Sequence, residues 1–408
     1  MITRTVRAVT GLPAPLRTLF FTTLIFRTGT MAYPFLAAHL LVHEGLGRGT
    51  TGSVLVCFGV GALGADLAAS VLLGRVTARA LMLGGLVLNG AVLAVFPFLH
   101  GVAPLVASVV VWGFAYEIFT PAAYSATVAA AGSEERKVAF SCYRLAINLG
   151  MAAGPLAGGL LFAVEPRLVF WANAGCALAA AGHLATRSRG APSVAPAGRD
   201  TPKTGVVPRT RYERTRFWTI FGLSLPVQLA YSLPSVFVST YVIVGLGLPG
   251  YWAGVVFAVN AAGIVLFEVP LNVRMARTGH LPTLLLGYGL AGAGFLSMAL
   301  SGSGPLLVLS TLVWTAGEIV VFPGLLGYVS ELSGEDSADR NLALYSTGVN
   351  IAFILAPHLS LLLARPSAPG IPWAVAGGAL CVAWLLLTVA RSSPHTWYKE
   401  EPSCTDAI

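Results

Sequence analysis

The feature that most constrains this chain is the series of long apolar runs that fills almost all of its 408 residues. Each run is about 20 residues or longer, the length that an α-helix needs to cross the hydrocarbon core of a bilayer. The runs lack the period-two alternation of transmembrane β-strands. Only 10% of the residues are charged, whereas soluble domains carry about a quarter. The sequence therefore predicts an all-α membrane protein.

Twelve runs are predicted to be transmembrane helices, here numbered spans 1 to 12. They cover residues 16–42, 50–73, 79–99, 103–131, 137–163, 167–187, 216–245, 250–273, 281–300, 304–332, 340–365 and 371–391. The first run continues past Arg27, which favours a retained helix over a cleaved signal peptide. A Pro-, Arg-, Ser- and Thr-rich stretch divides the chain. The predicted units are an N-terminal six-helix bundle at 1–187, a cytoplasmic linker at 188–215, a C-terminal six-helix bundle at 216–391 and a cytoplasmic tail at 392–408.

The distribution of basic residues predicts the orientation in the membrane. If the amino terminus and the even-numbered loops are cytoplasmic, that side holds most of the 25 Lys and Arg residues. The odd-numbered loops then hold only Arg48, Arg167 and Arg365. Because cytoplasmic loops are enriched in Lys and Arg, both termini are expected in the cytoplasm of a bacterium, with the spans in its inner membrane.

The two halves of the chain repeat each other. A shift of 202 residues superposes several residue types that are rare in such a chain, and Glu117 and Glu318 fall one residue out of this register. The superposed pairs include Trp112 with Trp314, Asp66 with Glu268, Asn148 with Asn350 and Pro155 with Pro357. Parallel repeats of six spans place a substrate site near the midplane, between the halves.

Span 5 carries a stripe of small residues, because Gly150, Gly154 and Gly158 recur every four residues on one helix face. Such a face lets a neighbouring helix approach closely, and an ordinary packing face is one interpretation. Pro155 favours a kink in the same turn. The full spacing, Gly-x-x-x-Gly-Pro-x-x-Gly-Gly, ends at Gly159. It resembles the fifth-helix antiporter motif of the major facilitator superfamily, in its drug:proton exporter branch.

This resemblance implies the major facilitator fold, with twelve transmembrane helices in two pseudo-symmetric six-helix bundles that work by alternating access. Other motifs of the superfamily are only partly present. Between spans 2 and 3, Arg75 and Arg79 are kept, while the usual aspartate and both glycines are lost. The span-4 arginine usual in proton-coupled exporters is absent from residues 109–113. Proton coupling would therefore need other residues.

Ionisable residues inside spans cost about 2.5–3.5 kcal/mol each to insert, so each needs a partner, a wet cavity or a function. Arg27, Glu117 and Glu318 lie near the midplane by residue count. Arg27 and Glu117 either neutralise each other, or substrate or a proton competes for Glu117 while Arg27 supplies the opposing charge. A carboxylate in a low-dielectric pocket has its neutral form favoured, which suits a proton carrier.

Glu318 follows Trp314 by one turn on span 10, so the two side chains share a helix face. Together they are expected to bind a proton or a cationic or polar aromatic ligand. No basic residue lies at the midplane of spans 7 to 12. The alternative is a protonated glutamate bonded to a neighbouring carbonyl.

Asp66, Arg144 and Glu268 lie in the cytoplasmic third of spans 2, 5 and 8 and are predicted to form an interdomain gate. Arg144 and Glu268 would pair when the cytoplasmic side is closed and separate when it opens. The alternative is that Arg144 extends toward the lipid headgroups. Ser346 is the repeat partner of Arg144, so Asp66 meets no equivalent cation on span 11.

Aromatic and amide side chains are weaker candidates for lining a cavity between the halves. They are Tyr33, Tyr116, Phe119, Tyr124, Tyr143, Asn148, Tyr231 and Asn350. The sequence contains no phosphate-binding Gly-x-x-x-x-Gly-Lys-Ser/Thr motif and no metal-ligand spacing. The chain is therefore predicted to be no enzyme, to hold no metal or cofactor and to draw on a proton gradient.

The predicted function is export of a small amphipathic compound, such as a drug or secondary metabolite, coupled to protons. The expected partners are a small-molecule substrate, protons and the lipid bilayer, with no nucleic acid, and a monomer is expected. One alternative is a symporter or uniporter that imports a small nutrient. Another, from a different class, is a non-transporting membrane scaffold or sensor that kept the fold.

Overall fold

A computed structural model describes residues 10–73, 75–131, 136–187, 211–275, 278–331 and 338–391. Within these ranges the chain forms fourteen long α-helices and no β-strand, so the all-α prediction is confirmed. The helices are α1 Ala14–Thr28, α2 Ala32–Val42, α3 Arg48–Leu72, α4 Ala78–Val95, α5 Val102–Glu117, α6 Phe119–Ala130, α7 Arg136–Val164, α8 Leu168–Arg187, α9 Arg211–Thr240, α10 Tyr251–Met275, α11 His280–Ala299, α12 Gly304–Glu331, α13 Ala338–Leu363 and α14 Ile371–Arg391. A 3-10 turn follows α4 at Phe96–Phe98, and a π turn extends α9 at Tyr241–Gly245.

Ten segments of the described chain are long and apolar enough to cross a membrane. They correspond to predicted spans 2 to 10 and 12. Span 1 differs from the prediction, because it is divided into α1 and α2, neither of which is long enough alone. Span 11 corresponds to α13, an unbroken helix from Ala338 to Leu363, whose apolar part within the described side chains is Ile351–Leu363. Among the described residues, ten of the twelve predicted spans are therefore long and apolar enough to cross a membrane.

Proline explains the break that divides span 1 and the break between α5 and α6 within span 4. Pro34 has no N–H to donate to the carbonyl of Thr30, so the helical hydrogen-bond ladder of span 1 stops at residues 29–31 and restarts in α2. Pro121 likewise cannot donate to the carbonyl of Glu117, and α5 ends at that residue. In both cases the proline lies in the first turn of the next helix, where the N–H groups have no helical acceptor.

The helices pack in the same pattern in both halves of the chain. In the first half α1 packs on α7, α3 on α5 and α4 on α8; in the second half α9 packs on α13, α10 on α12 and α11 on α14. Trp112 and Trp314, which the repeat predicts to be equivalent, are both buried. The packing is thus repeated in the two halves, whereas the count of six spans in each half and the unit boundaries stay predictions.

Among the described helices, the main contacts between the halves join α2 with α9, α3 with α13, and α7 with α10. The described contacts between halves lie toward the end of the bundle that carries residues 43–47, which we call the closed end. There the Arg48 guanidinium donates to the carbonyl of Ala364 at 2.6 Å. Tyr33 stacks on Phe353 with ring centres 5.8 Å apart, and the Ser239 hydroxyl donates to the carbonyl of Pro34.

Candidate functional site

Arg27 is the centre of a polar cluster in the first half. It lies in the last turn of α1, next to the break in span 1, and is only 6% exposed. Its guanidinium donates to the hydroxyl of Tyr116 and, at 2.9 Å, to the hydroxyl of Thr120. The guanidinium carbon also lies 4.8 Å from the centre of the Tyr116 ring, a cation–π distance. The buried cation is thus held by neutral groups.

Glu117, the last residue of α5, is partly buried and lies beside this cluster. Its carboxylate contacts Thr120 and interacts electrostatically with Arg27 and Asp66. Among the described side chains, however, no contact of 4.0 Å or less joins Glu117 to Arg27 as an ion pair. Arg27 and Glu117 therefore do not form the predicted direct ion pair, and both contact Thr120. Sequence reasoning missed Thr120, although it lies three residues after Glu117 across the helix break.

The glycine stripe of span 5 explains how Arg27 reaches this position. A Cβ atom at Gly150 would lie 2.5 Å from Cβ of Arg27, and one at Gly154 would lie 2.8 Å from the carbonyl oxygen of Thr28. Only glycine allows the backbone of span 1 to approach α7 so closely. The stripe therefore receives the end of α1 within the same half of the protein.

The remaining residues of the motif lie further along α7. Gly158 faces the backbone of Met31, at the restart of span 1. Gly159 faces the other half instead, where a Cβ atom would lie 2.9 Å from the carbonyl oxygen of Gly250. Pro155 stands inside the continuous helix α7. The motif thus serves packing within the first half and the junction of α7 with α10.

Glu318 is the centre of a second polar cluster, on α12. It is partly buried, and its Oε2 accepts a hydrogen bond of 2.7 Å from Nδ2 of Asn260 on α10. The same amide nitrogen lies 3.1 Å from the hydroxyl of Thr315. Tyr231 and Glu268 interact with Glu318 electrostatically. Asn260 was not predicted, although an amide in an apolar span is itself a sign of an interhelical hydrogen bond.

The structure corrects the expectation for Trp314. Its side chain is 2% exposed and stacks on Phe295 with ring centres 5.7 Å apart. Its carbonyl accepts a hydrogen bond of 2.7 Å from the hydroxyl of Tyr231. The indole ring packs in the core of the second half, because burial of its large apolar surface is favourable. Tyr231, which bonds to the backbone of Trp314, interacts with Glu318 and is an aromatic neighbour of the carboxylate.

The other predicted cavity residues of the first half lie in different surroundings. Tyr143 is buried beside Arg27, whereas Tyr124 is 44% exposed with its ring centre 5.4 Å from that of Tyr143. Phe119 has no exposed surface and packs on Phe26 at 4.9 Å. Phe119 is therefore a core residue and does not line a cavity.

Asn148 and Asn350 are the two amide candidates, on spans 5 and 11. Asn148 is partly buried on α7. Asn350 lies on α13, but its side chain is outside the part of the chain that the structure describes. The expected interhelical hydrogen bonds of this repeat-related pair stay a prediction.

The proposed gate is described only in part. Asp66 is exposed on α3, and Glu268 is partly buried on α10. The side chain of Arg144 lies outside the described set. The predicted pairing of Arg144 with Glu268 is therefore neither seen nor contradicted.

Comparison with known proteins identifies the family of this chain. The sequence matches the model of the Major Facilitator Superfamily over residues 19–357 and 253–403. The chain belongs to the major facilitator superfamily. It is therefore a multi-pass membrane transporter and not an enzyme.

Relatives and solved structures agree with this membership. The uncharacterised MFS-type transporter YhjO of Bacillus subtilis (strain 168) is 26% identical over 362 residues, which cover 84% of this chain and 85% of the relative. The uncharacterised MFS-type transporter MT2531 of Mycobacterium tuberculosis (strain CDC 1551 / Oshkosh) is 30% identical over 152 residues, 36% of this chain and 35% of the relative.

Two solved superfamily structures share the fold. A peptide transporter POT in complex with sulfate has a TM-score of 0.75 at 19% identity and covers 95% of this chain and 98% of its own. The nucleoside transporter NupG has a TM-score of 0.71 at 13% identity, with 92% and 98% coverage. At such low identity the likeness establishes the major facilitator fold alone.

Proposed function

We propose that this major facilitator transporter exports a small amphipathic compound, such as a drug or secondary metabolite, coupled to inward movement of protons. The observation that carries the proposal is the Glu318 cluster. A carboxylate inside a membrane span has an amide as its hydrogen-bond donor, and no cation forms an ion pair with it within the described residues. A carboxylate held in place without being neutralised can exchange a proton for a cationic group.

The proposed cycle is a rocking of the two halves about a central cavity. In the state seen here, described contacts between the halves lie at the closed end. If the basic loops are cytoplasmic, as the charge distribution predicts, the closed end faces outward and this is an inward-facing state. Substrate would then enter the cavity from the cytoplasm, and Glu318 would take up a proton from outside after the halves have moved.

Localisation and assembly are part of the same proposal. We place the protein in the inner membrane of a bacterium, with both termini in the cytoplasm, as a monomer that needs no cofactor besides the proton gradient. The opposite orientation would put the basic loops on the outside, against the usual retention of positive charge. Labelling of a cysteine introduced by Gly47→Cys from the outside of intact cells checks the orientation of the closed end.

Flux in everted membrane vesicles tests the function. Uptake of an amphipathic fluorescent dye that depends on an acidic vesicle interior would support export. Dye accumulation that is the same with and without the gradient would contradict it. Vesicles that carry Glu165→Gln, an exposed loop carboxylate outside both clusters, serve as the matched control and should behave as the wild type.

A second candidate is proton symport of a small nutrient into the cell. It is favoured by the similarity in fold to the solved structures of a peptide transporter and a nucleoside transporter. In the same vesicles, symport predicts that an acidic interior drives substrate out rather than in. A scaffold or sensor that transports nothing predicts that Glu117→Gln and Glu318→Gln leave every phenotype unchanged.

A further inference from the structure

The Arg27 cluster contains a cation, Arg27, and a carboxylate, Glu117, that do not form an ion pair with each other. Arg27 is bonded to the hydroxyls of Tyr116 and Thr120. Glu117 contacts Thr120 from the other side, and no ion pair within 4.0 Å joins it to Arg27 among the described residues. In a low dielectric a cation and a carboxylate this near attract each other strongly. Because no ion pair joins them, both charges can be reached by a ligand that carries a negative and a positive group.

Nε of Arg27 is buried and has no hydrogen-bond partner of ordinary geometry among the described residues. The hydroxyl of Tyr143 is also buried, and its described polar neighbour is the Arg27 guanidinium. Tyr143 is 2% exposed and lies beside Arg27. A buried polar group without a partner costs about 1–3 kcal/mol, and more when it is charged. A ligand carboxylate would satisfy the Arg27 side of the cluster.

The other side of the cluster is acidic and accessible. Glu117, Tyr116 and Thr120 are partly exposed, and Asp66 adds a second, exposed carboxylate that interacts with Glu117. A ligand ammonium placed there would meet Glu117 and the face of Tyr116, both of which favour a cation. The cluster thus presents a buried cationic end and a more exposed anionic end.

We propose that Arg27 and Glu117 bind the zwitterionic head group of the substrate, with a carboxylate or phosphate on Arg27 and an ammonium on Glu117. The proposal rests on the proposed transport function and names the head group of its amphipathic cargo. A ligand with one charge would satisfy one end and be repelled by the other, whereas a zwitterion satisfies both. Glu318 lies in the other half of the protein, where it would bind the coupling proton and not the head group.

The test uses four compounds that share a phenyl ring and differ only in charge: phenylalanine, phenylalaninamide, N-acetylphenylalanine and N-acetylphenylalaninamide. Binding to the purified full-length protein is measured by calorimetry and by the shift of the melting temperature. Phenylalanine is expected to bind at least about tenfold more tightly than each blocked compound. Equal binding of a blocked compound, or no binding by any of the four, would overturn the proposal.

Variants assign the two ends of the site. Arg27→Gln should remove the preference for a free carboxylate, and Glu117→Gln should remove the preference for a free ammonium. Each should leave the other preference intact, which a merely structural role would not do. Arg167→Gln and Glu165→Gln, both exposed and outside the cluster, should change neither. Loss of both preferences in each folded single variant would argue against two separate ends.

The zwitterion could be a soluble amino-acid derivative or the head group of a lipid. Reconstitution separates the two sources: nanodiscs rich in phosphatidylethanolamine should compete with phenylalanine only if the lipid head group enters the site, whereas discs of phosphatidylglycerol should not. Failure of the head-group proposal is distinguishable from failure of the transport proposal. Proton-driven flux that depends on Glu318 can persist even if the four compounds show no charge preference.

Discussion

Asn260 donates a hydrogen bond of 2.7 Å to the carboxylate of Glu318, and this bond links α10 to α12 within the second half of the transporter. The donor is a neutral amide, so it orients the carboxylate without cancelling its charge. The same amide nitrogen lies 3.1 Å from Thr315, which limits its rotation. Glu318 is thereby positioned to bind a proton or a cationic group.

We expect Glu318→Gln to abolish proton-driven transport while leaving a folded protein in the membrane. Glutamine keeps the shape and can still accept a hydrogen bond from Asn260, but it carries no charge and takes up no proton. Vesicle flux under an imposed pH gradient measures the coupling, and the melting temperature of the purified variant measures the fold. Normal coupling in a folded Glu318→Gln protein would remove this residue from the mechanism.

A second prediction concerns the proline in α12. Pro323 has no N–H for the carbonyl of Ile319, and Nδ2 of Asn272 donates to that carbonyl at 3.2 Å instead. Asn272→Leu leaves the buried carbonyl without a donor, which should cost about 1–3 kcal/mol of stability. Pro323→Ala restores the backbone N–H, so Asn272→Leu should cost much less in that background. Equal losses of melting temperature in both backgrounds would contradict the compensation.

The glycine stripe gives a third prediction. The Cβ atom of Gly150→Ala would lie 2.5 Å from Cβ of Arg27 and 2.7 Å from the backbone nitrogen of Thr28. Overpacking of this kind costs about 1–3 kcal/mol, so the melting temperature should fall. Gly175→Ala is the matched control, because nothing lies within 4 Å of its Cβ atom and alanine favours the helix by up to about 1 kcal/mol. A Gly150→Ala protein as stable as the control would be inconsistent with the close approach.

The closed end gives a fourth prediction. Arg48 donates to the carbonyl of Ala364, the residue after α13, at 2.6 Å across the halves, and a hydrogen bond to a charged group contributes about 1.5–3 kcal/mol. Arg48→Gln should therefore shift the population at least about tenfold toward opening of this end. The rate at which an impermeant maleimide labels Phe353→Cys, beneath the contact, measures the shift. Arg167→Gln is the control, and an unchanged rate in Arg48→Gln would mean that the contact does not hold the end closed.

The gate of Arg144 and Glu268 gives a fifth prediction, which still rests on the sequence. Arg144→Ala and Glu268→Ala should each alter the balance between the inward- and outward-facing states. If the two side chains act only as a pair, the double variant should be no worse than either single variant. Cysteine accessibility on both sides of the membrane measures the balance. Additive losses would show that the residues act separately.

The positions of the spans, the two helix breaks and the polar residue Asn260 are all encoded locally in the sequence. The apolar runs located the ten full spans within a few residues, because span length is a local property of the chain. The breaks after Arg27 and Glu117 were also encoded locally, by Pro34 and Pro121, which remove backbone donors. Asn260 was visible as an amide in an apolar span, but its partner was not.

The sequence by itself determined the class, the number of apolar runs, the repeat and the rare charges inside the membrane. These follow from composition and spacing, which need no knowledge of contacts. Only the tertiary structure decided which groups meet. Asn260 and Glu318 are 58 residues apart, and Arg27 and Thr120 are 93 apart. Whether such side chains face each other depends on the rotation of each helix about its axis, which close packing against neighbouring helices sets. The same packing buries the ring of Trp314 in the core of the second half, against Phe295.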